Sequence, residues 1–494
     1  MKTGTRRRNK RHIRMLSLLL VFLALIPVLA SCGGKDGEGK EEQTTEQALA
    51  DDYLDTALPT ATFNGETIGL IGREGARFVP EEEENGQPVD DALLRRNAKI
   101  AERYDVDFRY YTTGWGGETN ESVNTAALAN ENIYDVVYGI FATCAPYLIN
   151  NGLIMSTENI PHLNLEERWW SQDCMGQLRI HNKTFMLTGM ITYEHTTDGS
   201  AIFFNKKITE SMGLDDHFED VRSYRWTIDK LHSNSKLAAH DDNGDTEMTD
   251  DDTWGLSISN EAGLAFYYGS GVRLMEKDEE DEPYFLSDVS AISTKIDKLC
   301  SILSNRRYTV NTDDPLYKDC DAQFEKGKAL YLYDWAHSGV SLRTKDFYDF
   351  GILPIPTWDE GQKAYYTYAG LTNSGGIFFP ITNQKEELTG VIVEALAYQS
   401  SVEGGYYYAI LEKYIKGRGT YDADSEEMID LILSTKLYDL GLIFGMQLGD
   451  IAMKCTTGYF GEENAVNIST AYAGRATASK TQLRQLIRSW DRLD

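Results

Sequence analysis

The residues able to do chemistry in this chain are aromatic rings and carboxylates, and they do not form a familiar catalytic pattern. No Gly-x-Ser-x-Gly turn and no His-Glu-x-x-His pair occurs. "GLIGREG" has the wrong spacing for a dinucleotide loop. Gly-Lys at 34–35, 39–40 and 327–328 is never followed by Ser or Thr, so there is no phosphate loop. Two carboxylates distant in sequence would still serve glycoside hydrolysis. The aromatic content is high, with 29 Tyr, 18 Phe and 8 Trp. Trp115 in "YYTTGWGGETN", Tyr138 in "DVVYG", Tyr193 in "GMITYEH" and Trp335 in "LYLYDWAH" fall where strands should end. So do Tyr365, Tyr366 and Tyr368 in "AYYTYAG". A flat ring at a loop mouth stacks on the apolar face of a sugar, while nearby Asp, Glu and Asn accept from its hydroxyls. The same rings fill cores equally well, so position alone decides nothing for any single one.

A second set of oxygen atoms lies in "DDNGDTEMTDDD", residues 241–252. Counted from Asp241, Asn243, Asp245, Glu247 and Asp252 occupy positions 3, 5, 7 and 12. That is the ligand spacing of a calcium loop of the EF-hand kind. Thr246 stands where the sharp turn wants glycine, and Asp252 replaces the usual bidentate Glu. The two readings are a weak structural calcium site and a solvated acidic loop. No other cofactor is called for. "EKDEEDE" at 276–282 lacks such spacing and reads as a charged surface loop.

One cysteine stands apart. Residues 1–14 carry seven bases and no acid, and "MLSLLLVFLALIPVLA" follows. This is the layout of a secretory signal, and it is shorter than the roughly 20 apolar residues of a spanning helix. Leu29-Ala30-Ser31-Cys32 resembles the bacterial lipobox, in which lipid is joined to the cysteine sulfur and cleavage makes that cysteine the N-terminus. Acyl chains on Cys32 would hold the protein on the outer face of the cell membrane without spanning it.

The rest of the composition fits a secreted protein. The chain has 48 Lys+Arg and 77 Asp+Glu. From Cys32 onward, 41 bases face 77 acids, a net charge of -36. Such a surface repels nucleic acid and anionic lipid. Cys144, Cys174, Cys300, Cys320 and Cys455 are an odd and sparse set, so buried free thiols are expected. Pairing of Cys300 with Cys320 is one arrangement the sequence leaves open.

The elements that must position these residues alternate in type. Residues 33 to about 58 read as a flexible acidic tether with almost nothing to bury. After it, 66–72, "VDFRYY", 132–141, "SAIFFNKKI" and "ALYLYDW" read as strands. Residues 90–106, 388–400, 425–440 and 480–491 read as helices. This alternation predicts α/β domains with mainly parallel sheets, whose ligands bind beyond the carboxyl ends of the strands.

Several segments, in order, carry a resemblance: "IYDVVYG", "NNGLIMSTENIPHLNLEERWW", "GSAIFFNKKITESMGL", "RWTIDKL", "DDNGDTEMTDDDTWGLS", "FEKGKALYLYDWAH" and "FGILPIPTWDEGQKAYYTYAG". Together they resemble the extracellular solute-binding proteins, family 1, of bacterial ABC importers, the maltose-binding-like group. The resemblance implies a two-lobed, type II periplasmic-binding-protein-like fold, with hinge segments near 190–198 and 366–376 and a later third. The boundaries it implies are signal 1–31, linker 32–58, first lobe 59–192 and 369–420, second lobe 193–368 and 421–494. It places Trp335 on the family's sugar-stacking tryptophan and Tyr138 on a ligand-contacting loop. Asp334 stands where the family often has glycine, a departure. Trp115, Tyr193 and Tyr368 complete the expected ligand-binding set.

The function implied is a lipid-anchored receptor, not an enzyme, that takes a mono- or oligosaccharide between two lobes and delivers it to ABC permease subunits. Two other classes stay open: a secreted glycoside-active enzyme using a carboxylate pair, and an anchored binding protein for a non-sugar ligand such as a peptide. A carboxylate pair in a cleft favours the former, and a flat aromatic patch without a cleft the latter.

Overall fold

The computed structural model describes residues 53–493 except 61, 116, 286–288, 312, 314–319, 346–348, 371–373, 446–448 and 457–466. Cys32 and the signal lie outside the described residues. In chain order the strands are β1 (Glu66–Arg73), β2 (Val106–Thr113), β3 (Val136–Ile140), β4 (Ile154–Met155), β5 (Ser200–Asn205), β6 (Trp254–Ile258) and β7 (Met275–Lys277). They continue with β8 (Pro283–Phe285), β9 (Thr309–Asn311), β10 (Ala329–Trp335), β11 (Phe350–Pro354), β12 (Thr367–Tyr368), β13 (Gly375–Pro380) and β14 (Lys436–Leu437).

Two five-stranded sheets organise them, in the orders β2-β1-β3-β13-β4 and β11-β5-β10-β6-β9. In each, the strands that alternate with helices are parallel: β1 with β2 and β3, and β6 with β10 and β9. One strand arriving from the other lobe's direction runs antiparallel in each sheet, β13 against β3 and β5 against β10. The local sequence explains these elements. β1 and β5 are continuous apolar runs, buried along most or all of their length, as sheets covered on both faces require. The helix Pro88–Tyr104 starts on a proline with Asp90 and Asp91 in its first turn, and stops at Asp105 in the left-handed region. Thr227 accepts from the Lys230 N–H to begin the helix Ile228–Ala238.

The chain passes between the sheets in three places. Residues 193–199 lead into β5, β13 follows β12 in the chain, and β14 pairs in parallel with β12. The helix expected at 425–440 ends at Ser434, because Lys436 and Leu437 pair with Thr367 and Tyr368 instead. Helix Ala423–Ser434 packs on β11. The helical stretch 406–419 touches helix Pro88–Tyr104, and its buried side chains share a core with residues of β5 and β10. The last helix, Ile468–Arg492, packs on helix Phe141–Asn150 and on helix Val289–Leu303. These late segments touch helices beside the first sheet as well as strands of the second.

The tether ends earlier than its composition suggests. Leu54 and Leu58, one helical turn apart, are buried to 0% and 5% exposure. Tyr53 donates to Glu394 at 2.9 Å. Glu394 also accepts from the indole N–H groups of Trp169 and Trp170 at 3.0 and 2.9 Å, and from the Asn164 N–H at 3.2 Å. Residues 53–58 are therefore part of the first lobe's core. The strand expected at 132–141 shortens to β3, since the Asp135 carboxylate turns back to take the Gly69 N–H at 2.7 Å.

Candidate functional site

The carboxyl ends of the parallel strands bring two groups of side chains together. On the first sheet, β1 ends at Arg73. Its guanidinium lies 4.4 Å from the ring centroid of Trp115, which is 69% exposed just beyond β2. The other side of Arg73 meets Glu194 at 3.5 Å. Burial pushes the Glu194 carboxyl up to about 7, against the pull of Arg73. Arg73 Nε is buried with no hydrogen-bond partner.

On the second sheet, β10 ends in Tyr333, Asp334 and Trp335. Trp335 pairs with Ser200, the first residue of β5, so it stands where the chain enters this lobe. Ser200 Oγ donates to the Tyr368 carbonyl at 3.2 Å. The half-buried Trp335 ring lies 6.1 Å from the Tyr368 ring. It also rests on Gly370: a Cβ there would come 2.7 Å from the indole, and φ is +85°. The indole is thus pinned between a strand end and a crossing segment. Tyr333 Oη is buried without a partner. Its titration is raised by burial and by the nearby Glu261 and Asp334 carboxylates. Asp334 Oδ1 accepts from the Trp335 N–H at 2.7 Å.

The crossing segments hold a buried charge cluster. Asp198 and Lys436 are 4% and 3% exposed, and Lys436 Nζ donates to the His195 carbonyl. Burial raises Asp198 and lowers Lys436 to about 8, each attenuated by the other's charge. Ser374 Oγ donates to the Ala369 carbonyl in the same crossing.

The sequence-picked residues divide accordingly. Trp335, Asp334 and Tyr368 come together, and Tyr368 is buried to 1% beneath Trp335, stacked 5.8 Å from Tyr268. Trp115 joins Arg73. Tyr138 is packed inside the first lobe, its ring stacked on Phe78 at 4.9 Å. Tyr193 lies under the Arg77 guanidinium at 5.0 Å. Tyr365 donates to the Val221 carbonyl, away from Trp335's ring contacts. Arg73, Glu194, Asp198 and Tyr333 were not picked. Position near a strand end finds Arg73 and Tyr333, since Arg73 is the last residue of β1 and Tyr333 lies two residues before the end of β10. A separate hollow of about 400 Å³, lined by Glu118, Glu121, Glu131 and Tyr134, shares none of these residues.

The acidic loop folds on itself. Asp241 accepts from the Gly244 and Thr246 N–H groups at 2.6 and 2.8 Å, and Asp245 from Glu247 at 2.8 Å. Asp252 accepts from Asp242 and Thr249 at 2.9 and 2.7 Å. Thr246 takes φ +71° where a calcium loop turns on glycine. Among the described residues no group of three His, Cys, Asp or Glu is gathered to hold a metal ion.

No protein-family profile and no curated protein matches the chain. Solved structures do match in fold. A cyclo/maltodextrin-binding protein complexed with maltotetraose superposes with TM-score 0.57 at 12% identity, covering 86% of this chain and 99% of its own. The GacH receptor of Streptomyces glaucescens, solved unliganded and with acarbose, gives 0.53 at 14% identity, with 85% and 99% covered. The maltose/maltodextrin-binding domain of Bdellovibrio bacteriovorus, bound to maltotriose, gives 0.52 at 13%, with 85% and 100% covered. The fold is therefore that of the two-lobed periplasmic-binding proteins. Among the described residues no helix is long and apolar enough to cross a membrane.

Proposed function

We propose that this chain, which has the two-lobed binding-protein fold, is a lipid-anchored receptor that captures a carbohydrate between its lobes and delivers it to an ABC-type permease. The observation carrying this reading is the set of groups at strand ends: Trp335, Tyr333 and Asp334 at the end of β10, and Arg73 at the end of β1 with Trp115 and the crossing-segment Glu194 against it. The aromatic rings offer flat apolar faces, and the carboxylates, guanidinium and phenol offer hydroxyl partners. Arg73 Nε and Tyr333 Oη are buried without partners, a state that costs about 1–3 kcal/mol each, and a polyhydroxylated ligand relieves it. A sugar that touches both lobes favours the closed form by its differential affinity for that form. Binding needs no bond-making step, so the chain is read as a receptor and not an enzyme. The test is a calorimetric panel of mono- and oligosaccharides, with peptides and amino acids as the contrasting arm. Binding of a sugar without turnover supports the reading. Hydrolysis of a bound oligosaccharide points to the carboxylate-pair enzyme, for which the raised Glu194 is the candidate acid. Binding of peptides alone removes the carbohydrate class.

Anchoring is carried by the sequence before Cys32. Cys32→Ser is expected to move the protein from the membrane fraction to the medium or periplasm. Retention in carbonate-washed membranes contradicts lipid attachment at this residue.

Weak calcium binding at 241–252 is a separate proposal resting on spacing alone. An ion would have to draw the loop's carboxylates together from their present N–H bonds. Millimolar calcium is expected to raise the melting temperature by mass action, and Asp245→Ala to remove the rise. An unchanged melting temperature leaves a self-capped acidic loop.

A further inference from the structure

Four cysteine side chains after Cys32 are described, all of them buried thiols: Cys144, Cys174, Cys300 and Cys455. Two of these meet. Cys300 lies near the end of helix Val289–Leu303, and Cys455 lies in the turn Lys454–Thr456, which packs on that helix. Cys455 Sγ is 3.9 Å from the carbonyl of Ile296, one helical turn before Cys300 and on the same face. This contact sets the Cys455 thiol against the turn of the helix that carries Cys300. Both are enclosed, at 0% and 6% exposure. Among the described residues, Cys144 and Cys174 have no sulfur neighbour of this kind. Among the described side chains, the partner the fold offers Cys300 is therefore Cys455, and the Cys320 side chain lies outside the described residues.

We propose that Cys300 and Cys455 form a disulfide when the chain folds in an oxidising compartment, tying the segment 449–456 to the second lobe. The oxidant is a small-molecule or protein disulfide of the kind found outside the cytoplasm. One cysteine thiolate attacks it, forms a mixed disulfide and expels one thiolate. The second cysteine thiolate then attacks the protein sulfur of that mixed disulfide and expels the other. The bond between Cys300 and Cys455 forms, the oxidant is reduced to two thiols, and these take up the two cysteine protons. The neighbouring Cys300 thiol and burial both push the Cys455 thiol up, so the enclosed Cys455 is a weak nucleophile. The exchange therefore belongs to the folding chain, before the pair is covered. The bond closes a loop of about 150 residues, in the range where a crosslink restrains the unfolded chain most.

The experiment uses the full chain carrying Cys32→Ser, unfolded and reduced, then refolded in a mixture of oxidised and reduced glutathione. Free thiols are alkylated without reduction, and the digest is mapped by mass spectrometry. The expected product is one crosslinked species joining the peptides of Cys300 and Cys455, with Cys144 and Cys174 alkylated. Reductant should then lower the melting temperature by about 5 °C. Cys455→Ala should show no such response to reductant. The mapping on the chain with both cysteines intact stands even if that variant folds poorly. Recovery of Cys300 and Cys455 as separately alkylated peptides from folded protein overturns the proposal, and so does a link from Cys300 to Cys320.

Discussion

Trp335→Ala is expected to weaken carbohydrate binding about 30- to 1,000-fold, the equivalent of about 2–4 kcal/mol for a buried aromatic anchor, while the fold survives. The indole is half-buried, so its removal does not open the deep core of the second lobe. It is held by Gly370, by Tyr368 at 6.1 Å and by the β10–β5 pairing at Ser200. A ring fixed in this way presents one face without paying rotamer entropy on binding. Its support also joins two of the crossing segments, so a ligand pressing on the indole presses on the hinge. Calorimetry on the variant, with circular dichroism to confirm folding, checks this. Unchanged affinity in a folded variant makes Trp335 a wall residue.

Glu394→Ala is expected to lower stability by about 3–5 kcal/mol, the cost of breaking a buried polar network by removing one partner. The carboxylate is 0% exposed and accepts from Tyr53, Trp169, Trp170 and Asn164. Burial raises its titration while these donors pull it back. Truncation leaves two indole N–H groups enclosed without an acceptor and frees the Tyr53 segment. Glu394→Gln keeps the shape and one acceptor oxygen, so its loss should be about half as large. Urea unfolding monitored by tryptophan fluorescence measures both. A Glu394→Ala midpoint equal to that of the wild type would mean that this network adds nothing to stability.

The alternation of apolar runs and helical periods was enough to read an α/β chain, because β1, β5 and β10 are nearly continuous apolar runs. The resemblance supplied the two lobes. The third crossing was harder to see. Lys436 and Leu437 continue the helical pattern of 423–434, and only pairing with β12, nearly 70 residues earlier, makes them a strand. Tyr53 is hidden in an acidic tract because its partner, Glu394, is distant in sequence, and Leu54 because the core it joins is built from later segments. At the site, the excess of rings at strand ends pointed to Trp335 and Trp115. It also pointed to Tyr138, whose ring the fold turns onto Phe78, since the face a strand residue occupies depends on register. The meeting of Arg73 with Glu194 is hidden for a different reason. Their meaning comes from meeting each other across a lobe crossing, and no local spacing encodes that.

The claim that a sugar is held between two lobes that close on it is tested most directly by small-angle X-ray scattering, with and without saturating amounts of the tightest-binding oligosaccharide from the panel. The account predicts a smaller radius of gyration with sugar, and no contraction in Trp335→Ala at the same sugar concentration. Superimposable profiles for the wild type at saturation would contradict it.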